Sequence, residues 1–186
     1  MSDQQGGEEG PTRTIPGGPS VLVVEDNESV ADLYAAWLSD ACTVETAYDA
    51  AGATEALEER AFDIVLLDRR LPDGGGDDLL PLIRERGEGT QVAMITAVDP
   101  DFDIVEKPID GYVVKPVGEA DLYHLVARLA ERHTYDADVR EYFALAAKKA
   151  ALEAEKDPDD LEDSEEYEGL REDLEAIRGR IGTDEG

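Results

Sequence analysis

Residues 62–76 read FDIVLLDRRLPDGGG, and they establish the type of fold that this chain adopts. Ile64 to Leu67 form an unbroken apolar run of branched residues, which is typical of a short strand buried on both faces of a parallel sheet. The run ends on the carboxylate of Asp68, and the proline and glycines that follow break the chain. Because ligands bind at the carboxyl ends of strands in open α/β sheets, Asp68 is a candidate functional residue. Capping of the next turn would explain a single aspartate equally well.

Three further apolar runs end on polar side chains, and they occupy residues 20–24, 91–95 and 112–114. The first run is followed by Glu25 and Asp26, the second by Thr96 and the third by Lys115. If the strands are parallel, these side chains and Asp68 share one edge of the sheet. Clustered carboxylates repel each other unless a cation compensates them, and oxygen ligands of this kind suit Mg²⁺. A lysine beside a hydroxyl suits phosphoryl oxygens, so the pattern predicts a magnesium-assisted phosphoryl site.

In these residues the chain resembles the response-regulator receiver domain of two-component systems. The resemblance covers roughly residues 20–133 and is carried by Glu25-Asp26, Asp68, Thr96-Ala97, and Tyr112 three residues before Lys115-Pro116. It implies an α/β fold with a doubly wound, five-stranded parallel sheet of flavodoxin-like order 2-1-3-4-5, followed here by a C-terminal α-helical hairpin. The repeating strand and helix patterns of the sequence favour the same class of fold.

The resemblance also implies which residues receive the phosphoryl group and the metal. Asp68 would accept a phosphoryl group from the phosphohistidine of a sensor histidine kinase. Asp26 and Asp68 would bind Mg²⁺ directly, the backbone carbonyl of Arg70 would add a third ligand, and Glu25 would act through water. The protein would catalyse only its own phosphorylation and dephosphorylation, so we do not expect an enzyme in the ordinary sense.

Three further residues gain roles from the same resemblance. Lys115 would offset charge on the phosphoryl oxygens, and its peptide bond to Pro116 is expected to be cis. Thr96 would donate a hydrogen bond to one of those oxygens after transfer. Tyr112 would swing inward as Thr96 moves and so change the surface around the last strand.

The charge of the chain indicates which partners it can bind and in which environment it works. The formal net charge is -29 and the sequence pI is near 4.1. Such a chain repels nucleic-acid backbones, so we expect no direct binding to nucleic acid. An acidic chain with few lysines resembles proteins of salt-loving organisms. The single Cys42, the lack of an apolar run long enough for a membrane and the lack of a signal pattern predict a soluble cytoplasmic protein.

Composition divides the chain into three regions. Residues 1–19 are rich in Gly, Glu, Gln and Pro and are predicted to be a disordered tail. Residues 20–133 carry the receiver pattern. Residues 134–186 change to long, highly charged helical sequence and are predicted to form a helical hairpin or coiled-coil domain.

Two local patterns inside the receiver region predict particular structures. Asn27 can cap a helix after the first strand, and Trp37 falls on the apolar stripe of that helix, so it belongs to the core. By the family pattern, residues 99–108 should hold a fourth helix. Aspartates crowd the start of this segment and Pro108 stops it, so we expect only a stub of helix or an irregular loop.

The C-terminal region contains an apolar seam typical of a helical hairpin or coiled coil. Its members recur at alternating three and four residues: Tyr167, Leu170, Leu174, Ile177 and Ile181. The region resembles the HalX domain found behind receiver domains in halophilic archaea, on residues 148–153 (KKAALE) and 164–167 (SEEY). The seam needs either the first helix of the hairpin or another subunit as its partner, so a homodimer is a further expectation.

We hypothesise that a signal passes from the receiver region to this C-terminal region along a continuous helix. No proline or glycine lies between Gly118 and Lys156, which predicts an unbroken helical connection from the receiver to the hairpin. Phosphorylation of Asp68, read through Thr96 and Tyr112, would then reposition the hairpin for contact with an unidentified downstream protein.

The same residues fit other functional classes less well. A dinucleotide-binding enzyme would need a glycine-rich loop after the first strand, where this chain has Glu25-Asp26-Asn27. An aspartyl phosphatase would usually carry its nucleophile on the first strand. A receiver that acts unphosphorylated as a binding module stays open, as does control of transcription through a partner protein.

Overall fold

The structure is a computed structural model, and it describes residues 14–87 and 89–183. The strands are β1 (Ser20–Val24), β2 (Thr43–Ala47), β3 (Ile64–Leu67), β4 (Arg70–Leu71), β5 (Gly74–Gly75), β6 (Gln91–Thr96) and β7 (Gly111–Val114). Five of them form one parallel sheet in the order β2-β1-β3-β6-β7, which confirms the predicted flavodoxin-like order. The short strands β4 and β5 pair antiparallel beyond the end of β3.

The helices are α1 (Glu28–Leu38), α2 (Ala50–Glu59), α3 (Leu80–Arg86), α4 (Glu119–Arg132), α5 (Ala137–Glu155), α6 (Pro158–Glu162) and α7 (Glu165–Thr183). Two 3₁₀ turns, Gly76–Leu79 and Phe102–Glu106, precede α3 and β7. None of the helices that the described residues form combines the length and the apolar character required to cross a membrane.

Helix α1 shows how the local sequence sets an element. The Asn27 side chain accepts hydrogen bonds from the backbone amides of Ser29 (3.1 Å) and Val30 (3.3 Å), so the predicted cap is present. Tyr34 is buried in the core under this helix, and Trp37 packs beside it with a ring separation of 5.7 Å.

The two faces of the sheet carry two cores because successive strand residues point to opposite sides. In β3, Ile64 and Leu66 face the core under α1 and α4. Val65 and Leu67 face the core under α2, α3 and the C-terminal helices. All four residues are at most 1% exposed, as a strand covered on both faces requires.

The fourth helix of the receiver pattern is reduced to the 3₁₀ turn Phe102–Glu106, in agreement with the prediction of a stub. The hairpin made by α5 and α7 packs against this turn, and α5 also lies against β7. Ile104 belongs to the same core cluster as Leu152 and Leu170, and each of the three is 0% exposed. Burial of each such side chain stabilises the structure by about 1.5–3 kcal/mol. The hairpin therefore covers a part of the sheet that a longer fourth helix would otherwise cover.

The seam of the hairpin is formed as the heptad pattern predicts. Tyr167, Leu170 and Ile177 of α7 are buried, and Leu174 and Ile181 pack against the same cluster. The SEEY sequence at residues 164–167 begins α7, because the Ser164 hydroxyl accepts a hydrogen bond of 3.1 Å from the amide of Tyr167.

The prediction of an unbroken helical connection from the receiver to the hairpin is wrong. Helix α4 ends at Arg132, and a turn separates it from α5. In this turn the amides of Thr134 and Tyr135 bond the carbonyls of Glu131 and Arg132, three residues back in each case, where an α-helix would bond four residues back. Asp136 then adopts an extended backbone and precedes α5 as its N-cap residue. Residues 133–136 contain neither proline nor glycine, so a search for those two residues misses this break.

Residues just before β1 also pack against the sheet. Ile15 is 4% exposed and packs in the core on the α1 side of the sheet. The backbone turns at Gly17 and Gly18, where the amide of Gly18 bonds the carbonyl of Ile15, and the carbonyl of Pro19 accepts from Thr43. Disorder is therefore a wrong prediction for residues 14–19, because one apolar side chain anchors them. The predicted tail at residues 1–13 and the end of the predicted helical domain at 184–186 lie outside the described residues.

Candidate metal and phosphoryl site

Asp68 directly follows β3 and is 6% exposed. Its amide continues the ladder by bonding the carbonyl of Val24 at 3.0 Å. Its Oδ1 accepts the backbone amide of Arg70 at 3.0 Å, and its Oδ2 accepts Lys115 Nζ at 2.8 Å. Both oxygens of this carboxylate are thus oriented by donors that come from different strands.

The acidic pair after β1 consists of one buried and one exposed carboxylate. Glu25 is 3% exposed, and its two oxygens accept the amide of Asn27 (3.1 Å) and the ammonium of Lys115. Burial raises the pKa of Glu25, and the hydrogen bonds from Lys115 and Asn27 oppose this shift without cancelling it. Asp26 lies exposed at the mouth of the site.

Glu25, Asp26 and Asp68 can each place one carboxylate oxygen so that the three atoms lie within 4.8 Å of one another. Three hard oxygen donors on one rim fit Mg²⁺, which binds one or two carboxylates and keeps several waters. Arg70, the predicted source of a carbonyl ligand, lies at the start of β4 two residues beyond Asp68. Its side chain is exposed, and its backbone is held by the Asp68 carboxylate and by pairing with Gly75.

Lys115 follows β7 and reaches across the edge of the sheet. Its amide bonds the carbonyl of Thr96 at 2.9 Å, and its peptide bond to Pro116 is cis, as predicted. Burial lowers the pKa of Lys115, but the hydrogen bonds with Asp68 and Glu25 outweigh burial and raise the pKa above its ordinary value. The ammonium is therefore held in its charged form between two buried carboxylates.

Thr96 and Tyr112, the predicted switch residues, both bond to Val98. Thr96 is 0% exposed at the end of β6, and its hydroxyl accepts the amide of Val98 at 3.3 Å. Tyr112 is 9% exposed in β7, and its hydroxyl donates to the carbonyl of Val98 at 2.6 Å. The backbone of Val98 is thus held by hydrogen bonds with both predicted switch residues.

The sequence interpretation missed a group of charges beside Asp68. Arg69 donates to Asp77 at 2.9 Å and to Asp103 at 2.7 Å, which ties the loop after β3 to the 3₁₀ turn Phe102–Glu106. Lys107 pairs with the same two aspartates at 2.9 Å and 3.6 Å. No sequence spacing predicts this network, because its members come from two separate connections, one between β3 and α3 and the other between β6 and β7.

Two residues of the glycine-rich loop also support the site. A Cβ at Gly76 would lie 2.0 Å from the carbonyl oxygen of Asp68, so only glycine fits there. Asp73 accepts the amides of Ala50 (2.7 Å) and Ala51 (3.0 Å), which pins the loop to the start of α2. The run of glycines in residues 74–76 was the one available signal for the close approach at Gly76.

Comparison with families of known proteins divides the chain in two. The family model of the response regulator receiver domain matches residues 21–127, and that of the HalX domain matches residues 131–183. A putative transcriptional regulator of Haloferax volcanii is 48% identical over 159 residues, which are 85% of this chain and 27% of that protein. The transcriptional regulatory protein CutR of Streptomyces coelicolor is 40% identical over 116 residues, or 60% of this chain and 54% of that protein.

Solved structures of receiver domains share the fold of the first two thirds of the chain. A CheY-like receiver domain protein from Methanospirillum hungatei superimposes with a TM-score of 0.58 at 25% identity, covering 61% of this chain and 94% of that one. The BeF3-activated DrrB receiver domain gives a TM-score of 0.55 at 28% identity, covering 61% and 97%. The chain spans about a quarter of the length of the Haloferax relative and about half of CutR.

Proposed function

Since this chain belongs to the response regulator receiver family, we propose that it is a two-component response regulator whose Asp68 accepts a phosphoryl group from a sensor histidine kinase. One observation carries the proposal. The buried Asp68 carboxylate is oriented by the Lys115 ammonium and a backbone amide, beside two further carboxylates at the same edge of the sheet. The match of the receiver family to residues 21–127 supports the same reading.

In the transfer, an oxygen of Asp68 forms a bond to phosphorus while the bond from phosphorus to the imidazole nitrogen of the kinase breaks. The imidazole leaves with that electron pair and takes up a proton. Lys115 places its charge beside Asp68 Oδ2 and offsets negative charge on the phosphoryl oxygens. Thr96 and Tyr112 then respond through Val98, to which both are bonded.

Asp26, Asp68 and the carbonyl of Arg70 would hold Mg²⁺, with Glu25 acting through water. A bound Mg²⁺ would supply further positive charge to the phosphoryl oxygens in the transfer. Glu25 accepts hydrogen bonds from Lys115 and the Asn27 amide, so its buried carboxylate also holds these two groups in place.

The test is phosphorylation of the purified chain by acetyl phosphate with excess MgCl₂, followed by intact-mass measurement. We expect the wild-type chain to gain one phosphoryl group and Asp68→Asn to gain none. Asp40→Asn, a change at an exposed aspartate beyond α1, is the matched control and should behave as the wild type. A gain that persists in Asp68→Asn, or no gain in the wild type, would contradict the proposal.

We propose control of transcription through a partner protein as the output of the signal. The Haloferax relative and CutR are both named as regulators of transcription, and the match to the first, over 159 residues, is longer than the receiver region alone. The net charge of -29 opposes direct contact with DNA. Tight, sequence-specific DNA binding by the purified chain in a gel-shift assay would contradict this output.

A further inference from the structure

Residues 97–107, here called the bridging segment, join β6 to the loop before β7 and touch the phosphoryl site at two points. Val98 is bonded to the hydroxyls of Thr96 and Tyr112. Asp103 is bonded to Arg69, the neighbour of Asp68, at 2.7 Å. A shift of Thr96 or of the loop after β3 therefore acts directly on this segment.

The hairpin holds the same segment from its other side. Lys148 of α5 is 6% exposed, and its Nζ donates to the carbonyls of Val105 (3.0 Å) and Lys107 (2.6 Å). Lys156, just beyond α5, pairs with Asp101 at 3.0 Å and lies 5.2 Å from the centre of the Phe102 ring. Two lysines of the hairpin thus contact the two ends of the 3₁₀ turn Phe102–Glu106, Lys156 at its start and Lys148 at its end.

The Lys148 contact is specific because a buried ammonium is costly unless its donors are satisfied. One acceptor, the carbonyl of Val105, lies near the end of the 3₁₀ turn, and the other, the carbonyl of Lys107, directly follows the turn and also accepts the amide of Ile109 at 2.9 Å. Such an acceptor pair exists only while the bridging segment keeps its present path. The contacts belong to the arrangement in which Asp68 is a carboxylate bound to Lys115.

We propose that Lys148 and Lys156 are positioning residues for phosphorylation: through them the hairpin restrains the bridging segment and so limits how readily Thr96 turns toward a phosphoryl group on Asp68. The inference rests on the proposed function of Asp68. It replaces a route along α4 into α5, since a turn at residues 133–136 separates these helices. Coupling of this kind is reciprocal, so phosphorylation loosens the hairpin and release of the hairpin favours phosphorylation.

The test compares phosphorylation rates of full-length variants with acetyl phosphate and MgCl₂, followed by intact mass. Lys148→Met keeps the length of the side chain and removes its charge and donors. We expect it to raise the initial rate by about fivefold or more, which corresponds to a barrier about 1 kcal/mol lower. Lys148→Arg, which keeps the charge and donors, should return the rate toward that of the wild type. Arg178→Met, at an exposed arginine of α7, is the matched control and should leave the rate unchanged.

Hydrogen exchange provides a second readout that a purely structural role would not move in the same way. In the wild type, phosphorylation should raise exchange in residues 97–107 and in α5, and Lys148→Met should show that raised exchange before phosphorylation. If Lys148→Met does not fold, Lys156→Met carries the same test at a less buried position.

The outcomes separate the two proposals. A folded Lys148→Met variant with the rate of the wild type, or wild-type exchange in residues 97–107 that phosphorylation does not change, overturns the restraint by the hairpin and leaves the role of Asp68 intact. A wild-type chain that takes up no phosphoryl group overturns both.

Discussion

Lys115 is the residue on which the electrostatics of the site depend. It stands between Glu25 and Asp68, two carboxylates that are 3% and 6% exposed. Without it, two buried negative charges would face each other at the end of the sheet. The same ammonium that would serve a phosphoryl group therefore stabilises the fold.

Lys115→Met should lower the free energy of unfolding by about 1–3 kcal/mol, because it leaves two buried carboxylates without a cationic partner. Excess MgCl₂ should restore part of the loss, since a divalent cation at Glu25, Asp26 and Asp68 would replace the lost charge. Chemical denaturation with and without MgCl₂ measures both effects. Lys149→Met, which removes an exposed pair with Glu153 on the same helix, should cost at most about 0.5 kcal/mol. Equal losses of unfolding free energy in the two variants would contradict a stabilising role of Lys115 between buried carboxylates.

Gly76→Ala should be strongly destabilising, because its Cβ would lie 2.0 Å from the Asp68 carbonyl oxygen. We expect a loss of about 3 kcal/mol or more, at or beyond the upper end of typical overpacking. Gly169→Ala in α7 is the matched control, since a Cβ there meets nothing within 4 Å. It should stabilise the chain by about 0.5–1 kcal/mol. Thermal or chemical denaturation gives both values, and a neutral Gly76→Ala would refute the close approach.

At the scale of elements, the hairpin and the 3₁₀ turn Phe102–Glu106 are complementary. The turn is too short to cover β7, so α5 packs there instead. The same helix contributes the buried Lys148. The sequence predicts both the stunted helix and the heptad seam. It does not predict that they meet, because the contact joins residues about 40 positions apart and depends on tertiary packing.

Lys148 should give the stability of the chain a distinct dependence on pH. Burial lowers its pKa to about 8, with weaker and opposing effects from Asp110 and Arg84. Between about pH 8 and its ordinary pKa of about 10.4, the unfolded chain binds more protons at this lysine, so stability rises with pH in that window. The free energy of unfolding of the wild type, minus that of Lys148→Met, should rise there by up to about 3 kcal/mol. Denaturation curves across the window provide the check, and a constant difference would contradict the shift.

Much of the receiver could be predicted because its signals are local. Each buried strand is an apolar run, and Glu25, Asp68, Thr96 and Lys115 stand at or directly after the ends of such runs, so the location of the site follows from a parallel sheet. The strand order came from the resemblance to the receiver family. The network of Arg69, Asp77 and Asp103 escaped prediction, since its members come from separate loops. Ile15 escaped because one apolar residue in a polar segment carries no periodicity. The break before α5 escaped because Asp136 resembles any other charge in a helical sequence.

At the scale of the whole molecule, charge dominates. A net charge of -29 on 186 residues opposes the compact state through repulsion among like charges. The similarity to a Haloferax protein fits a chain adapted to high salt. Asp77 and Asp103 are paired with the side chains of Arg69 and Lys107, whereas most of the other carboxylates that the structure describes are exposed.

Stability should therefore increase with salt. We expect the melting temperature to be higher in molar KCl than in dilute buffer, because salt screens the repulsion between surface carboxylates. Thermal melts followed by circular dichroism measure this directly. Equal or greater stability in dilute buffer would contradict an adaptation to high salt.

The position of the phosphoryl group tests the central claim most directly. After incubation with acetyl phosphate and MgCl₂, borohydride reduction converts an aspartyl phosphate to homoserine, and peptide mass spectrometry locates the converted residue. We predict homoserine at position 68 in the wild type and none in Asp68→Asn. Conversion at any other aspartate, or at none, would contradict the assignment of Asp68 as the phosphoacceptor.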